Sequence, residues 1–137
     1  MTARQTVFEV ATRGPGLYEI TRDVADWTRG AGETSLLTLF VQHTSASLLV
    51  QENADPDVLG DIERWFSGAV QDGDARFRHR AEGDDDMSAH IRTLLTQTSL
   101  TVPIDQGRLA LGTWQAIYLF EHRTAPHHRK VSVTILG

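Results

Sequence analysis

Residues 34–42 carry apolar side chains at both parities of an extended chain, with Leu37, Leu39 and Val41 on one face and Leu36, Thr38 and Phe40 on the other. A strand that is apolar on both faces belongs in the middle of a sheet covered on both sides. The rest of the chain must therefore supply a sheet and at least one layer packed over it. Val7, Phe8 and Val10 mark a first strand over residues 5–10, stopped by Arg13-Gly14-Pro15-Gly16, and Leu17, Glu19 and Ile20 begin a short second one. Thr21, Val24 and Trp27 at helical spacing predict a short helix that ends at Gly30-Ala31-Gly32. After His43-Thr44-Ser45-Ala46 a strand resumes over residues 47–51.

Asp55 followed by Pro56 is a helix start, with a capping carboxylate and a proline at the first helical position. Val58, Ile62, Trp65, Phe66 and Ala69 then fall on one face of a helix over residues 55–70. A polar stretch, residues 71–86, leads into a second amphipathic helix carrying Met87, Ile91, Leu94 and Leu95. The C-terminal third reads as strands at residues 100–104, 110–122 and 131–136, with a turn at Gly107-Arg108. Strands and helices in mixed order, without regular βαβ alternation, predict an α+β fold. The expectation is a single compact domain over residues 1–137, a mixed or antiparallel sheet with two or three helices.

Charge and composition remove several classes of function. Eighteen Asp and Glu against thirteen Lys and Arg leave a formal net charge of −5, so the basic footprint of a nucleic-acid binder is missing. No apolar run approaches the ~18 residues of a membrane span, and no basic region followed by a signal-length apolar stretch opens the chain. The sequence reads as that of a soluble cytoplasmic protein. With no cysteine, thiolate nucleophiles, disulfides and sulfur-ligated metals are excluded, and any metal must be held by His, Asp or Glu. Glycine-rich phosphate loops, dinucleotide fingerprints and the nucleophile elbow of α/β-hydrolases are absent as well.

Candidate chemistry gathers at a few positions. His43 extends the Leu37, Leu39, Val41 face, His79 lies in the polar connector, and His90 follows Asp86 at i+4. Spacing alone is met more simply by satisfied, half-buried or surface histidines, because no close pair of metal-binding spacing is present. Glu82-Gly83-Asp84-Asp85-Asp86 reads first as the acidic first turn of a helix, with metal ligands or partners that orient a histidine as the alternative. Glu52 and Asn53 have no evident capping role. Gly112-Thr113-Trp114-Gln115 falls within an expected strand, and Gln115 and Glu121 share a face on which a buried amide and carboxylate need partners. Arg123, Arg129 and Lys130, with His127 and His128, form a basic cluster that reads as a solvated hairpin tip or an anion site.

Taken in order, Gln42-His43-Thr44-Ser45-Ala46-Ser47, Glu52-Asn53 with Asp55-Pro56, His79 ahead of Glu82-Gly83 and Asp85-Asp86-Met87, His90-Ile91, Leu111-Gly112-Thr113-Trp114-Gln115 and Glu121-His122-Arg123 resemble the YjbQ family across nearly the whole chain. Members of that family are uncharacterised proteins, some named secondary thiamine-phosphate synthases for a weak side activity. The resemblance implies a compact α+β subunit, a homotrimer, and a metal-associated pocket at a subunit boundary. It further implies a divalent metal, zinc or magnesium-like, at His43, His79 and His90. Glu52, Gln115, Glu121 and Arg123 are implied as catalytic, and Asn53, Thr113 and Trp114 as ligand-binding. The partner implied is a small anionic or phosphorylated metabolite. Two functions follow as expectations: a metal-dependent enzyme, either a thiamine-phosphate synthase-like transferase or a hydrolase, and a non-catalytic trimeric module that binds a small anion.

Overall fold

The computed structural model describes residues 2–137. In chain order the elements are β1 (Ala3–Thr12), β2 (Gly16–Glu19), α1 (Thr21–Trp27), β3 (Thr34–Val41), β4 (Ala46–Glu52), α2 (Pro56–Ala69), α3 (Asp84–Leu94), β5 (Ser99–Asp105), β6 (Arg108–Leu109), β7 (Gln115–Glu121) and β8 (His127–Leu136). Every strand pairing is antiparallel. A five-stranded sheet runs β1-β8-β3-β5-β6, and a three-stranded sheet runs β2-β7-β4. This is the expected α+β class, with the strands divided between two sheets.

The core lies between the sheets. Leu37, Leu39 and Val41 of β3, Val102 and Ile104 of β5 and Val131, Val133 and Ile135 of β8 meet Leu48 of β4 and Ile117 and Leu119 of β7, and Ile20 and Val24 close one end. The outer face of the small sheet carries Ala116, Tyr118 and Phe120, and Phe66 of α2 meets Phe120 edge to face at 5.3 Å. The strand covered on both faces is thus β7, not β3. β3 is central in its sheet, but that sheet is an outer layer, and Leu36 and Phe40 stay 49% and 48% exposed. Trp27 packs edge-on to Phe8 beneath the Arg4 guanidinium, whereas Trp65 projects into solvent.

Three further expectations change in detail. The strand expected over residues 110–122 starts only at Gln115, because Gly112 and Gln115 close a turn in which the Gly112 N–H donates to Gln115 Oε1 (2.7 Å) and the Gln115 N–H to the Gly112 carbonyl (3.1 Å). β8 begins at His127 rather than at residue 131, since β1 pairs with it along its whole length from Ala3↔Leu136 to Thr12↔His127. Leu94 and Leu95, the last apolar residues expected on this helix, are exposed, and the buried positions of α3 are Asp86, Ser88, Ala89 and Arg92. A helix that buries its polar side needs partners for each of those groups. Among the described residues no helix is long and apolar enough to cross a membrane.

α2 starts as its sequence predicts. Asp55 Oδ1 accepts from the Asp57 N–H at 2.9 Å and Pro56 opens the helix. Glu52, for which the sequence offered no such role, supports this start, its Oε2 accepting from the Asp55 N–H at 3.1 Å. Loss of the cap in Asp55→Ala is expected to lower stability by about 1 kcal/mol in urea denaturation, as for similar N-caps; an unchanged midpoint would contradict that role.

Candidate metal centre

α3 sets Asp86 and His90 one turn apart on the same face, and the segment between α2 and α3 brings His79 to them. His79 Nε2 lies 2.6 Å from Asp86 Oδ2, and His90 Nε2 lies 3.1 Å from that same oxygen. One ligand atom from each of the three residues falls within 4.8 Å of the others. Asp86 is buried, whereas His79 and His90 keep part of their rings open to solvent, so the cluster has a protein side and an accessible side.

Hydrogen bonding at the far side of His90 fixes its orientation. Its Nδ1 sits 3.0 Å from the Thr44 carbonyl, which also accepts from Thr93 Oγ1 at 3.2 Å. A carbonyl can only accept, so Nδ1 carries the proton, and in the neutral ring Nε2 presents a lone pair. That lone pair faces a carboxylate oxygen, an arrangement that is repulsive unless a proton or a cation lies between them. A second imidazole nitrogen converges on the same oxygen. Two imidazoles and a carboxylate, with one ring oriented through its other nitrogen, form a donor set that fits a divalent metal of the zinc type.

Arg123 braces the carboxylates of this centre. Its Nη1 donates to Asp86 Oδ1 at 2.7 Å, its Nε to Asp85 Oδ2 at 2.9 Å and its Nη2 to the Glu82 carbonyl at 2.9 Å. Asp85 also accepts from the Thr124 N–H and hydroxyl. Burial raises the Asp85 carboxyl, but Arg123 and Thr124 outweigh it and hold it well below the usual carboxylate range. Burial likewise pushes Asp86 up, and His79, His90 and Arg123 bring it below its ordinary value. Arg123 is therefore engaged with the acids of α3 and is not free to grip an anion. The acidic run divides its work: Asp86 turns to the histidines, Asp85 to Arg123, and Asp84 begins the helix at the surface.

His43 stands outside this cluster. Its Nε2 accepts from the Lys130 N–H at 2.8 Å, and its Nδ1 is 3.4 Å from Arg129 Nη1. Burial, then the charge of Arg129, lowers its pKa. With His90, Thr44, Thr93 and Leu94 it lines an open cleft of about 530 Å³ beside the candidate centre, and it is not among the three residues whose ligand atoms converge. Glu121 is wholly buried and its carboxylate is fully engaged. It accepts from Arg129 Nε (2.8 Å) and Nη2 (2.5 Å), Thr12 Oγ1 (2.6 Å) and the backbone N–H groups of His122 and Arg123. Arg129 is the residue that sequence reasoning misplaced as part of a solvated tip. It shares the parity of Val131, Val133 and Ile135, and that alternation, extended two residues upstream, points it inward.

The remaining expected site residues lie at the other end of the small sheet. Glu52 pairs with Gln115 at one end of β4 and β7, and Ala46 with Glu121 at the other. Six residue steps separate them, about 20 Å at strand rise. Asn53 N–H donates to the Trp114 carbonyl at 3.0 Å, Thr113 is exposed, and the Trp114 ring is 61% exposed. In this chain these residues lie away from His79, Asp86 and His90.

Residues 6–137 match the family model described as UPF0047 protein YjbQ-like. The UPF0047 protein of Synechocystis sp. is 48% identical over 134 residues, 97% of this chain and 91% of that protein. The UPF0047 protein YjbQ of Salmonella typhimurium is 43% identical over 135 residues, 97% of each chain. Among solved structures, a conserved hypothetical protein from Thermus thermophilus superposes with a TM-score of 0.86 at 37% identity, covering 96% of this chain and 99% of that one. An uncharacterised YjbQ/UPF0047 protein from Clostridium acetobutylicum gives a TM-score of 0.86 at 32% identity, with the same coverage of each chain.

Proposed function

The chain belongs to the UPF0047 family of YjbQ-like proteins, and for this member we propose a metal-dependent enzyme acting on a small anionic or phosphorylated metabolite. The observation that carries the reading is the convergence of His79 and His90 on one oxygen of buried Asp86. Imidazole donors favour zinc and its neighbours over magnesium, which prefers oxygen ligands. A divalent ion held there would supply Lewis acidity toward a substrate oxygen. His79, Asp86 and His90 would hold the ion. The Thr44 carbonyl orients His90, and Arg123 fixes the Asp86 carboxylate. The substrate enters by the cleft of His43, Thr93 and Leu94 and reaches the open side of the centre. Thiamine-phosphate synthase-like transfer is the weak side activity for which the family resemblance implies some members are named.

Glu52, Asn53, Thr113, Trp114 and Gln115 join the reading as a second surface that completes the site from a neighbouring subunit of a homotrimer. The outward face of the five-stranded sheet supports association, since Val7, Leu36, Phe40 and Leu136 are exposed there. Light scattering is expected to give a trimer, and a monomer at micromolar concentration would remove that part of the proposal.

The test of the centre is metal analysis of the full chain after incubation with zinc and desalting. About one ion per chain is expected, with at least a tenfold loss of zinc affinity in His90→Ala and in His79→Ala while the circular dichroism is unchanged. Wild-type protein that retains no metal, or a His90→Ala variant that binds as well as wild type, would overturn the assignment. Small-anion binding that survives chelation, with no turnover in zinc-loaded protein, would favour the non-catalytic module instead.

A further inference from the structure

The cleft beside His90 is distinguished by what its wall lacks. Among the described residues that line it, none is Asp, Glu, Lys or Arg. Two large apolar side chains stand at its rim uncovered, Leu94 at the end of α3, 78% exposed, and Phe40 where the outward face of the five-stranded sheet meets the cleft, 48% exposed. Between them lie Thr44, Thr93 and Thr98. Thr93 Oγ1 donates to the His90 carbonyl at 2.7 Å and lies 3.2 Å from the Thr44 carbonyl, so its hydroxyl is engaged within the wall.

Neither histidine of the wall brings charge to it. His43 Nε2 accepts from the Lys130 N–H, which requires a lone pair, so that ring is neutral. His90 spends Nδ1–H on the Thr44 carbonyl and turns Nε2 to Asp86, where the ion would sit. Charged side chains of the neighbouring elements are committed elsewhere: Arg129 to Glu121 and Arg123 to Asp85 and Asp86, while Lys130 stands across from Glu9 in the register of β1 and β8. His90 joins the cleft to the centre, because Thr44 holds one edge of its ring and Asp86 meets the other. A group bound to an ion at Nε2 therefore has the cleft within the width of one imidazole. A second anionic group or a set of hydroxyls placed against this wall would lose hydration without gaining partners. Apolar surface gains by burial there. The volume lies inside the range of small-molecule pockets, roughly 300–1,000 Å³, and admits a body of ring size.

We propose that the metabolite taken by the metal centre is amphipathic: its anionic group meets the ion, and the rest is an uncharged apolar body seated between Phe40 and Leu94. Nucleotides, sugar phosphates and compounds anionic at both ends fall outside that class. Leu94 is the specificity-determining residue, and the proposal rests on the reading of His79, Asp86 and His90 as a metal centre.

Hydroxamates bind zinc through their own oxygens and so separate the head of a ligand from its body. Acetohydroxamate, benzohydroxamate and 4-carboxybenzohydroxamate are titrated into the zinc-loaded full chain by isothermal titration calorimetry. Benzohydroxamate is expected to bind about tenfold more tightly than acetohydroxamate, and the carboxylate at the far end of the ring should cancel that gain. Leu94→Ser, at a side chain that the fold leaves largely uncovered, should weaken benzohydroxamate about fivefold and leave acetohydroxamate unchanged. Equal binding of acetohydroxamate and benzohydroxamate, undiminished binding of the carboxylated compound, or a Leu94→Ser variant that keeps the full gain would each overturn the proposal while the metal centre stands. Zinc-loaded protein that binds no acetohydroxamate would overturn the metal centre, and the proposal with it.

Discussion

Arg129→Met is expected to destabilise the protein by about 3–5 kcal/mol at neutral pH, the cost of leaving a buried charge without its partner. Glu121 is wholly enclosed, and Arg129 supplies two of the hydrogen bonds to its carboxylate and all of its compensating charge at contact distance. Burial pushes the Glu121 carboxyl up, but Arg129 and Thr12 outweigh it, so the group is ionised in the folded protein. Methionine matches much of the length of arginine but leaves that anion unpaired, and it also removes the donor to Ser45 Oγ at 3.0 Å. Adding Glu121→Gln to Arg129→Met should recover most of the loss, because the amide keeps an oxygen for the His122 and Arg123 N–H groups and carries no charge. Urea denaturation of the two single variants and the double variant closes the cycle. A loss below about 1 kcal/mol in Arg129→Met would show that the pair is solvated and not buried.

The same pair shows where the sequence was legible and where it was not. Local signals survive folding: Asp55-Pro56 opens α2, and the Asp84, Asp85, Asp86 turn opens α3, because caps and dipoles act within one turn. Layer assignment is not local. β3 and β7 are both apolar at both parities, and only the helix laid over Phe120 makes β7 the inner strand. The site was read in part. His79 and His90 stand together beside Asp86, whose i+4 spacing from His90 was visible in the chain, whereas His43 is held by Lys130 and Arg129 on the cleft wall. Glu121 and Arg123 were expected to act on a substrate, yet each is engaged by an oppositely charged side chain whose proximity depends on tertiary pairing. Nothing in a linear pattern separates a carboxylate that works from one that is neutralised 8 residues along a returning strand.

Mild acid should destabilise the fold before its carboxylates titrate, with His122 as the main cause. Burial, reinforced by Arg92 of α3 and Arg129 of β8 and opposed by Glu121, pushes its pKa down to about 3. In the unfolded chain the same imidazole titrates near 6.5. Between those values the unfolded chain binds a proton that the folded protein refuses, so stability falls as pH drops, by at most about 1.4 kcal/mol per pH unit. From about pH 6.5 to 4.5 the expected loss is about 2–3 kcal/mol. His43, also lowered by burial and Arg129, acts in the same direction over part of that window. Glu121 and Asp86 are depressed acids, whose stabilisation is complete above the unfolded carboxyl pKa and is lost only as pH falls below it, so they steepen the decline under about pH 4.5 and leave the higher window to the histidines. Urea denaturation at half-unit steps from about pH 7 to pH 4 would show the slope, and His122→Phe should remove more than half of it above about pH 4.5. A wild-type profile flat from about pH 7 to pH 5 would mean that His122 takes up its proton in the folded state, opposite the charges of Arg92 and Arg129.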